Sequence, residues 1–233
     1  MKQILFSLFA IMILGACNQM TGSGNIVTEK RHTGNFVGIS VGGAFEVEVK
    51  TGPETVVEVE ADDNVIDFIE TKVSGGILKI RTKDGTNFND AHFKVYVTAP
   101  EINSLHASGA ANLKVTDQLS GTGKISVDVS GAANIKAAVD APEVFAELSG
   151  AGNIDLSGRT RNYVAKVSGS GDLKSGSLQS ENTEVKVSGA GTARVHASVS
   201  LNADASGAGN IYYKGEATVQ QKKSGAGNIK HEN

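Results

Sequence analysis

The residues of this chain that could carry out acid–base or metal chemistry are few and scattered. Two pairs of carboxylates are close in sequence, Asp62 with Asp63 and Asp84 with Asp90. General acid–base catalysis requires such groups to face each other across a cleft, and the sequence shows no such cleft. The five histidines do not follow the spacing of a metal site: His32, His92, His106, His196 and His231. The sequence therefore predicts no catalytic residues, no metal site and no cofactor.

The single cysteine of the chain, Cys17, lies in a context that indicates a specific chemistry. It follows a positively charged Lys2, an apolar stretch at Ile4–Leu14 and two small residues. An apolar run of this length is too short to span a bilayer comfortably and is typical of a cleaved signal peptide. The lone cysteine resembles the lipid-modified first residue of a mature bacterial lipoprotein, and an ordinary signal peptide with a chance cysteine is the alternative. We therefore predict a lipoprotein signal at residues 1–17, with Cys17 attached to a membrane through its lipid.

The residues that follow the cysteine bear on location. Residues 18–28 are rich in Gly, Ser, Thr and Asn, which predicts a flexible tether. No acidic patch follows Cys17, and this favours the periplasmic side of an outer membrane slightly over the cell surface.

The formal net charge of −3 leaves no electrostatic footprint for nucleic acid, so we expect no nucleic-acid partner.

A repeat in the sequence predicts the architecture that would position any site. A six-residue phrase, Ser-Gly-Ala-Gly-Asn-Ile with close variants, recurs seven times, beginning at Ser108, Ser130, Ser149, Ser168, Ser188, Ser206 and Ser224. Self-similarity at a period of about 19 residues is typical of a solenoid. Apolar and polar residues alternate on both sides of each phrase, as they do in half-buried strands. We predict an all-β, right-handed parallel β-helix of two sheets, with about 19 residues per coil, over residues 101–233. Gln221 and Lys223 replace apolar residues in the last coil, which predicts a cap.

Two columns of the repeat have predicted structural roles. The fifth position of most phrases is an amide: Asn112, Asn134, Asn153, Asn210 and Asn228. Amides at a corner can bond to their counterparts one coil away, so we predict a structural ladder, with a ligand-binding row as the alternative. Two residues before each phrase, Glu147 beside Lys166 and Lys186 beside Asp204 predict cross-strand charge pairs.

The N-terminal portion, residues 29–100, carries larger apolar residues and predicts less regular β coils continuous with the solenoid. Within it, residues 63–71 have apolar spacings that predict one short helix, with Asp62 or Asp63 as its cap.

Several segments together resemble a known family, the putative auto-transporter adhesin, head GIN domain family. The resemblance rests on the repeat phrase and on four N-terminal segments: Gly34–Ile39, Gly42–Val47, Ile77–Ile80 and Val97–Pro100. It covers roughly residues 28–233. It implies a two-sheet β-helix on a secreted or lipid-anchored protein with adhesion as the proposed role, and it brings no catalytic residues.

The remaining question is where a ligand would bind. The segment Thr82–Ala91 is the longest irregular polar stretch, and Phe88 within it is expected to be exposed. The candidate ligand-binding residues are Thr86, Asn87, Phe88, Asn89, Tyr212 and Tyr213. A glycan or a matrix protein is the expected partner of a non-enzymatic, adhesin-like binding or scaffold protein of the cell envelope. A carbohydrate-active β-helix enzyme and a periplasmic structural or envelope-stress lipoprotein are the alternatives.

Overall fold

The computed structural model of the chain describes residues 19–84 and 86–232, so the signal at residues 1–17 and Cys17 lie outside it. The described residues are almost entirely β, with one turn of 3-10 helix at Ile66–Phe68. None of their helical segments is long and apolar enough to cross a membrane. In chain order the strands are β1 (Gln19–Thr21), β2 (Ile26–Arg31), β3 (Gly38–Gly43), β4 (Glu46–Thr51), β5 (Val56–Asp62), β6 (Ile69–Ser74), β7 (Ile77–Thr82), β8 (Asn87–Asn89), β9 (Phe93–Ala99), β10 (Ser104–Gly109), β11 (Asn112–Ser120), β12 (Lys124–Gly131), β13 (Asn134–Gly150), β14 (Asn153–Gly169), β15 (Asp172–Gly189), β16 (Thr192–His196), β17 (Ser200–Gly207), β18 (Asn210–Lys214), β19 (Thr218–Gly225) and β20 (Ile229–His231).

Two parallel ladders of strands form the solenoid. Ladder A stacks β7, β3, β10, β12, the second halves of β13, β14 and β15, then β17 and β19. Ladder B stacks β9, β4, β11, the first halves of β13, β14 and β15, then β16, β18 and β20. Strands β13, β14 and β15 run from one ladder into the other without a break. The predicted parallel solenoid is confirmed, and its period is visible where Asn134 pairs with Asn153, one coil later.

The core lies between the two ladders because successive residues of each strand point to opposite faces. In β13, Ile135, Val139 and Leu148 are at most 1% exposed, whereas Lys136 and Glu147 lie on the outer surface. A single coil buries only a few such side chains, and several of these are alanines. Each coil therefore depends on its neighbours for its stability.

The corners between the ladders require glycine. At the corner after β13, Gly150 has a φ of 125°, a conformation that side chains with a β-carbon rarely adopt. A Cβ atom at Gly150 would lie 2.9 Å from the Gly131 nitrogen and closer still to the Gly131 carbonyl oxygen. That oxygen accepts a hydrogen bond of 2.8 Å from the Ala151 N–H, so consecutive corners are stacked in backbone contact.

The regular stack begins before the first Ser-Gly phrase. Strands β3 and β4 form a coil whose corner, Gly42–Phe45, stacks directly on the corner at Ser108–Ala111. The residues Gly43-Ala44 correspond to Gly109-Ala110, and Glu46 occupies the place of the asparagine. The solenoid therefore includes part of the portion that sequence alone assigned to irregular coils.

Antiparallel strands close the N-terminal end of the stack. Strand β5 pairs with both β2 and β9, and β6 forms a hairpin with β7, all in antiparallel register. The helix predicted over residues 63–71 is wrong beyond the single turn Ile66–Phe68, because Ile69 begins β6 and pairs with Thr82. The predicted carboxylate cap is also absent, since no side-chain hydrogen bond caps that turn.

The segment that follows Cys17 is not the flexible tether that its composition predicts. From Gln19 onward it forms β1, which pairs in parallel with β8, and β2, which pairs with β5. Its small polar residues bond to the body of the protein, as Ser23 does to Asp63 and Gly24 to Asp62, and composition alone did not predict these bonds.

Candidate functional site

The loop that carries four of the predicted ligand-binding residues is more ordered than expected. Asn87–Asn89 form β8 and pair with Gln19–Thr21. Asn87 and Asn89 are exposed, whereas Thr86 and Phe88 are half-buried. The Phe88 ring packs edge-on against Phe68 and Phe93, with ring centroids 5.8 and 5.3 Å away. The prediction of an exposed aromatic at Phe88 is therefore wrong, because the ring belongs to a small aromatic cluster at the N-terminal end of the stack.

The paired carboxylates Asp62 and Asp63 have structural partners. Buried Asp62 accepts hydrogen bonds from the backbone N–H groups of Gly24 and His92, each 2.7 Å long. The His92 N–H, ahead of the Gly24 N–H, lowers the pKa of Asp62 although burial acts in the opposite direction. Asp63 accepts from the Ser23 hydroxyl at 2.6 Å, and this bond is the main reason that its pKa is lowered. The two carboxylates thus fasten the chain after Cys17 to the N-terminal end of the solenoid.

The corner asparagines form the predicted ladder. The Nδ2 atom of Asn134 donates to Oδ1 of Asn112, and Nδ2 of Asn153 donates to Oδ1 of Asn134, each at 2.7 Å. At the far end Asn228 donates to Oδ1 of Asn210 through its backbone N–H at 3.1 Å. The structural role is confirmed for these amides, since each bonds to its counterpart one coil away.

The outer face of ladder B carries Tyr212, one residue of the second predicted site, and a basic hollow. Tyr212 and Tyr213 are both half-buried, but Tyr213 pairs with buried Val195 and packs against the core and His231. Arg194 covers the outward Tyr212 ring at 4.9 Å from its centroid. The two tyrosines are neighbours in sequence, but their rings already have partners. Further along the face, a hollow of about 330 Å³ runs beside the asparagine ladder, and its charged lining residues are Lys114, Lys136, Asp155 and Lys174.

The charge pairs predicted on ladder A are in register but are not ion pairs. Glu147 stands directly opposite Lys166, and Lys186 opposite Asp204, yet among the described residues neither pair comes within ion-pair distance. Lys166 extends over the Phe145 ring instead, 5.3 Å from its centroid. These surface pairs therefore contribute little to stability.

A second groove, which sequence reasoning missed, lies on the outer face of ladder A. Its volume is about 380 Å³, and it runs across β14, β15, β17 and β19, the last four strands of the ladder. Two rows of outward side chains line it, and we call this surface the amide groove: Asn162, Asn182, Ser200 and Thr218 in one row, and Val164, Glu184, Asn202 and Gln220 in the other. These rows lie four and six residues before each Ser-Gly phrase, a signal that was available in the sequence.

Part of the amide groove is ordered by its own hydrogen bonds. Nδ2 of Asn182 donates to Oδ1 of Asn162 at 3.2 Å, and the Ser200 hydroxyl donates to Oδ1 of Asn182 at 2.8 Å. Within the described part of the chain, no hydrogen bond engages the side chains of Asn202 and Gln220, both of which are exposed. The groove thus combines fixed amides with amides whose donors and acceptors face solvent.

Polar groups also lie beneath the groove, inside the solenoid. The hydroxyls of Ser180 and Thr183 are 2.7 Å apart, and Thr183 donates to the His196 carbonyl at 2.7 Å. Tyr163 is 1% exposed and its hydroxyl has no hydrogen-bond partner of normal geometry. Burial raises the pKa of Tyr163, and the neighbouring Ser175 hydroxyl opposes this only in part.

These features define a class of protein: a parallel β-solenoid with stacked glycine corners, a closed N-terminal end and open polar grooves on its faces. Residues 35–217 match the family described as putative auto-transporter adhesin, head GIN domain, and the chain belongs to this family. The resemblance stated from the repeat phrase is thereby confirmed. Membership indicates an envelope or surface protein.

Solved structures share the fold. A putative adhesin from Bacteroides fragilis superimposes with a TM-score of 0.85 at 21% identity, over 91% of this chain and 99% of that one. A putative lipid binding protein from Parabacteroides distasonis gives a TM-score of 0.78 at 22% identity, over 93% and 100%. A putative adhesin from the same species gives 0.76 at 25% identity, over 92% and 100%. No curated protein matches the chain.

Proposed function

We propose that this protein is a non-enzymatic, adhesin-like binding protein of the cell envelope, anchored to a membrane by an acylated Cys17. The observation that carries the proposal is the position of the chain after Cys17. It is fastened by Asp62 and Asp63 to the closed N-terminal end of the stack. The solenoid then extends away from that end as a rigid stack of strands.

The distance covered by the stack is sufficient to separate an anchor from a binding surface. Along ladder A, five strand-to-strand steps lead from β7 to β14, where the amide groove begins, and eight lead to β19, where it ends. At about 4.8 Å per step, the amide groove lies about 24–38 Å from the N-terminal end. A lipid at Cys17 would therefore hold the N-terminal end at the membrane and present the groove away from it.

The non-enzymatic part of the proposal rests on the structural role of the paired carboxylates that could have been catalytic. Asp62 and Asp63 are occupied in binding the N-terminal segment. The family and a structural neighbour are described as putative adhesins, and a second neighbour as a putative lipid binding protein. Many anchored copies on one membrane would turn weak single contacts into avidity, which suits adhesion.

The test of anchoring compares wild type with Cys17→Ser in the native host. We expect wild type to remain in the membrane fraction after a carbonate wash and the variant to be released. Retention of Cys17→Ser in the washed membrane would contradict lipid anchoring. Protease digestion of intact cells then distinguishes the two faces of the outer membrane: protection would indicate the periplasmic side, which the absence of an acidic patch after Cys17 favours, and digestion would indicate the cell surface, where adhesion to external matrix takes place.

The test of function uses arrays of glycans and matrix proteins, together with assays for release of reducing sugar. We expect binding that strengthens with the density of immobilised protein, and no release of sugar. Catalytic release of sugar would overturn the non-enzymatic assignment, and the absence of any binding on a dense surface would overturn the adhesin-like one.

A further inference from the structure

We propose that the amide groove binds a neutral oligosaccharide chain that lies along the axis of the solenoid. This inference rests on the proposed binding function and names its ligand class and its site. The site lies away from the loop at Thr86–Asn89 and away from the tyrosines of ladder B.

The chemistry of the lining favours a polyhydroxylated ligand. Amide and hydroxyl side chains supply hydrogen-bond donors and acceptors side by side, as the hydroxyl groups of a sugar require. Val164, which is half-buried in the row that also contains Asn202 and Gln220, adds apolar surface for the C–H face of a sugar ring. Pockets that combine apolar surface with a few placed polar groups are the usual form of a small-molecule site.

The charge of the surface disfavours an anionic ligand. Glu184 is the one charged side chain of the described groove lining, and it is a carboxylate. In the adjoining hollow of the same face, positive Lys186 and Lys222 flank negative Asp204, so this surface alternates in sign. A phosphate, a sulfated glycan or an anionic lipid would need a concentration of cations that these rows do not offer.

The backbone geometry disfavours a peptide. Peptides that bind to β proteins commonly add a strand to an exposed sheet edge and use main-chain hydrogen bonds. The amide groove lies on the face of ladder A, where β14, β15 and β17 are each paired on both sides; within the described residues only the outer edge of β19, at the end of the groove, is unpaired. A ligand there meets side chains rather than free backbone groups, and recognition must come from amides and hydroxyls.

The repeat matches a polymer better than a single sugar. Equivalent side chains recur once per coil, at about 4.8 Å along the axis. Asn182 pairs with Ser200, and Asn202 with Gln220, so the same two positions recur along the axis although their side chains differ from coil to coil. A chain of sugar units laid along the axis meets at least one amide or hydroxyl side chain at each step.

Part of this site is organised before the ligand arrives. The bonds from Asn182 to Asn162 and from Ser200 to Asn182 fix the orientation of those amides, which reduces the entropy that binding must remove. Asn202 and Gln220, both in the other row, are exposed and supply the adaptable contacts.

The experiment uses the full-length lipoprotein in detergent, with neutral linear hexasaccharides of β1,4-linked glucose, mannose and N-acetylglucosamine as probes. The test variant is Asn202→Ala with Gln220→Ala. Both side chains are exposed, so the fold is expected to be unaffected. The matched control is Gln118→Ala with Gln179→Ala, which removes two exposed amides of ladder B. Equal melting temperatures of the three proteins verify that folding is preserved.

We expect at least one neutral hexasaccharide to bind to immobilised wild-type protein, at least tenfold weakening in the groove variant, and no change in the control. Binding should be almost independent of salt between low and high concentration, because charge contributes little. Failure of every neutral hexasaccharide, preference for sulfated or uronic-acid chains with strong salt dependence, or equal binding by both variants would each overturn the inference. If wild type and groove variant adhere equally to glycans or matrix proteins, the groove assignment fails while the adhesin-like function stands.

Discussion

Replacing Gly150 by valine tests how the stacked corners are built. The substitution puts a β-branched side chain at a φ of 125°. A residue held in so sparsely populated a conformation costs about 1–3 kcal/mol, and forced overpacking costs about 1–3 kcal/mol more. Displacing the Gly131 backbone also threatens the hydrogen bond from Ala151 N–H to its carbonyl, worth about 1 kcal/mol. We expect a total loss of about 3–7 kcal/mol of unfolding free energy.

A matched substitution separates the corner from the general cost of valine for glycine. Gly121 has ordinary backbone angles, and a Cβ atom there would find no atom within 4 Å. We expect Gly121→Val to change the unfolding free energy by less than about 1 kcal/mol. Glu147→Gln, on the exposed surface between Asp128 and Lys166, should also change it by less than about 1 kcal/mol.

The assay is thermal and urea unfolding followed by circular dichroism. In a domain of this size 1 kcal/mol shifts Tm by about 2–4 °C, so Gly150→Val should melt roughly 6–28 °C below wild type. Similar shifts for Gly150→Val and Gly121→Val would refute the reasoning, because the two differ in corner geometry and in backbone clash.

Three further predictions concern buried or half-buried side chains. Tyr163→Phe should leave the unfolding free energy unchanged or raise it by up to about 1 kcal/mol, because the buried hydroxyl has no partner of normal geometry, and a clear loss in urea unfolding would contradict this. Since its folded-state pKa is lowered, Asp62 contributes stability that is present above its unfolded pKa of about 3.9 and is lost as pH falls through the folded value. In wild type, the protection of the backbone amides of residues 19–25 from hydrogen exchange should therefore fall below about pH 4, whereas Asp62→Asn should show no such fall. Identical pH profiles for the two proteins would contradict the role assigned to Asp62. Phe88→Ala should cost about 1–3 kcal/mol in thermal unfolding through its lost contacts with Phe68 and Phe93 while glycan binding is retained; loss of binding at unchanged stability would restore the loop as the site.

The parallel stack was predictable from the Ser-Gly phrase. Each phrase marks a corner, the spacing between phrases gives the length of a coil, and the alternation on both sides predicts strands. The earlier coil at Gly42–Phe45 was harder to find, since only Gly43-Ala44 keeps the phrase and Glu46 stands in for the amide. The helix at residues 63–71 was mispredicted because the apolar spacing fits a helical face as well as a turn followed by a strand. Long-range pairing of Ile69 with Thr82 decides between them, and local sequence does not report it.

The candidate sites were harder to predict because the same residue type has two roles in one molecule. On ladder B, Asn112, Asn134 and Asn153 stand next to the glycine corner, where the close stacking of coils lets each amide bond to the next. On ladder A, Asn202 and Gln220 lie on the open face of the strands, and no hydrogen bond engages their side chains within the described residues. Position alone does not separate the two roles either, because on the same face Asn182 donates to Asn162 one coil away. What separates them is the hydrogen bonding of each amide in the folded chain, which the amino-acid sequence does not report.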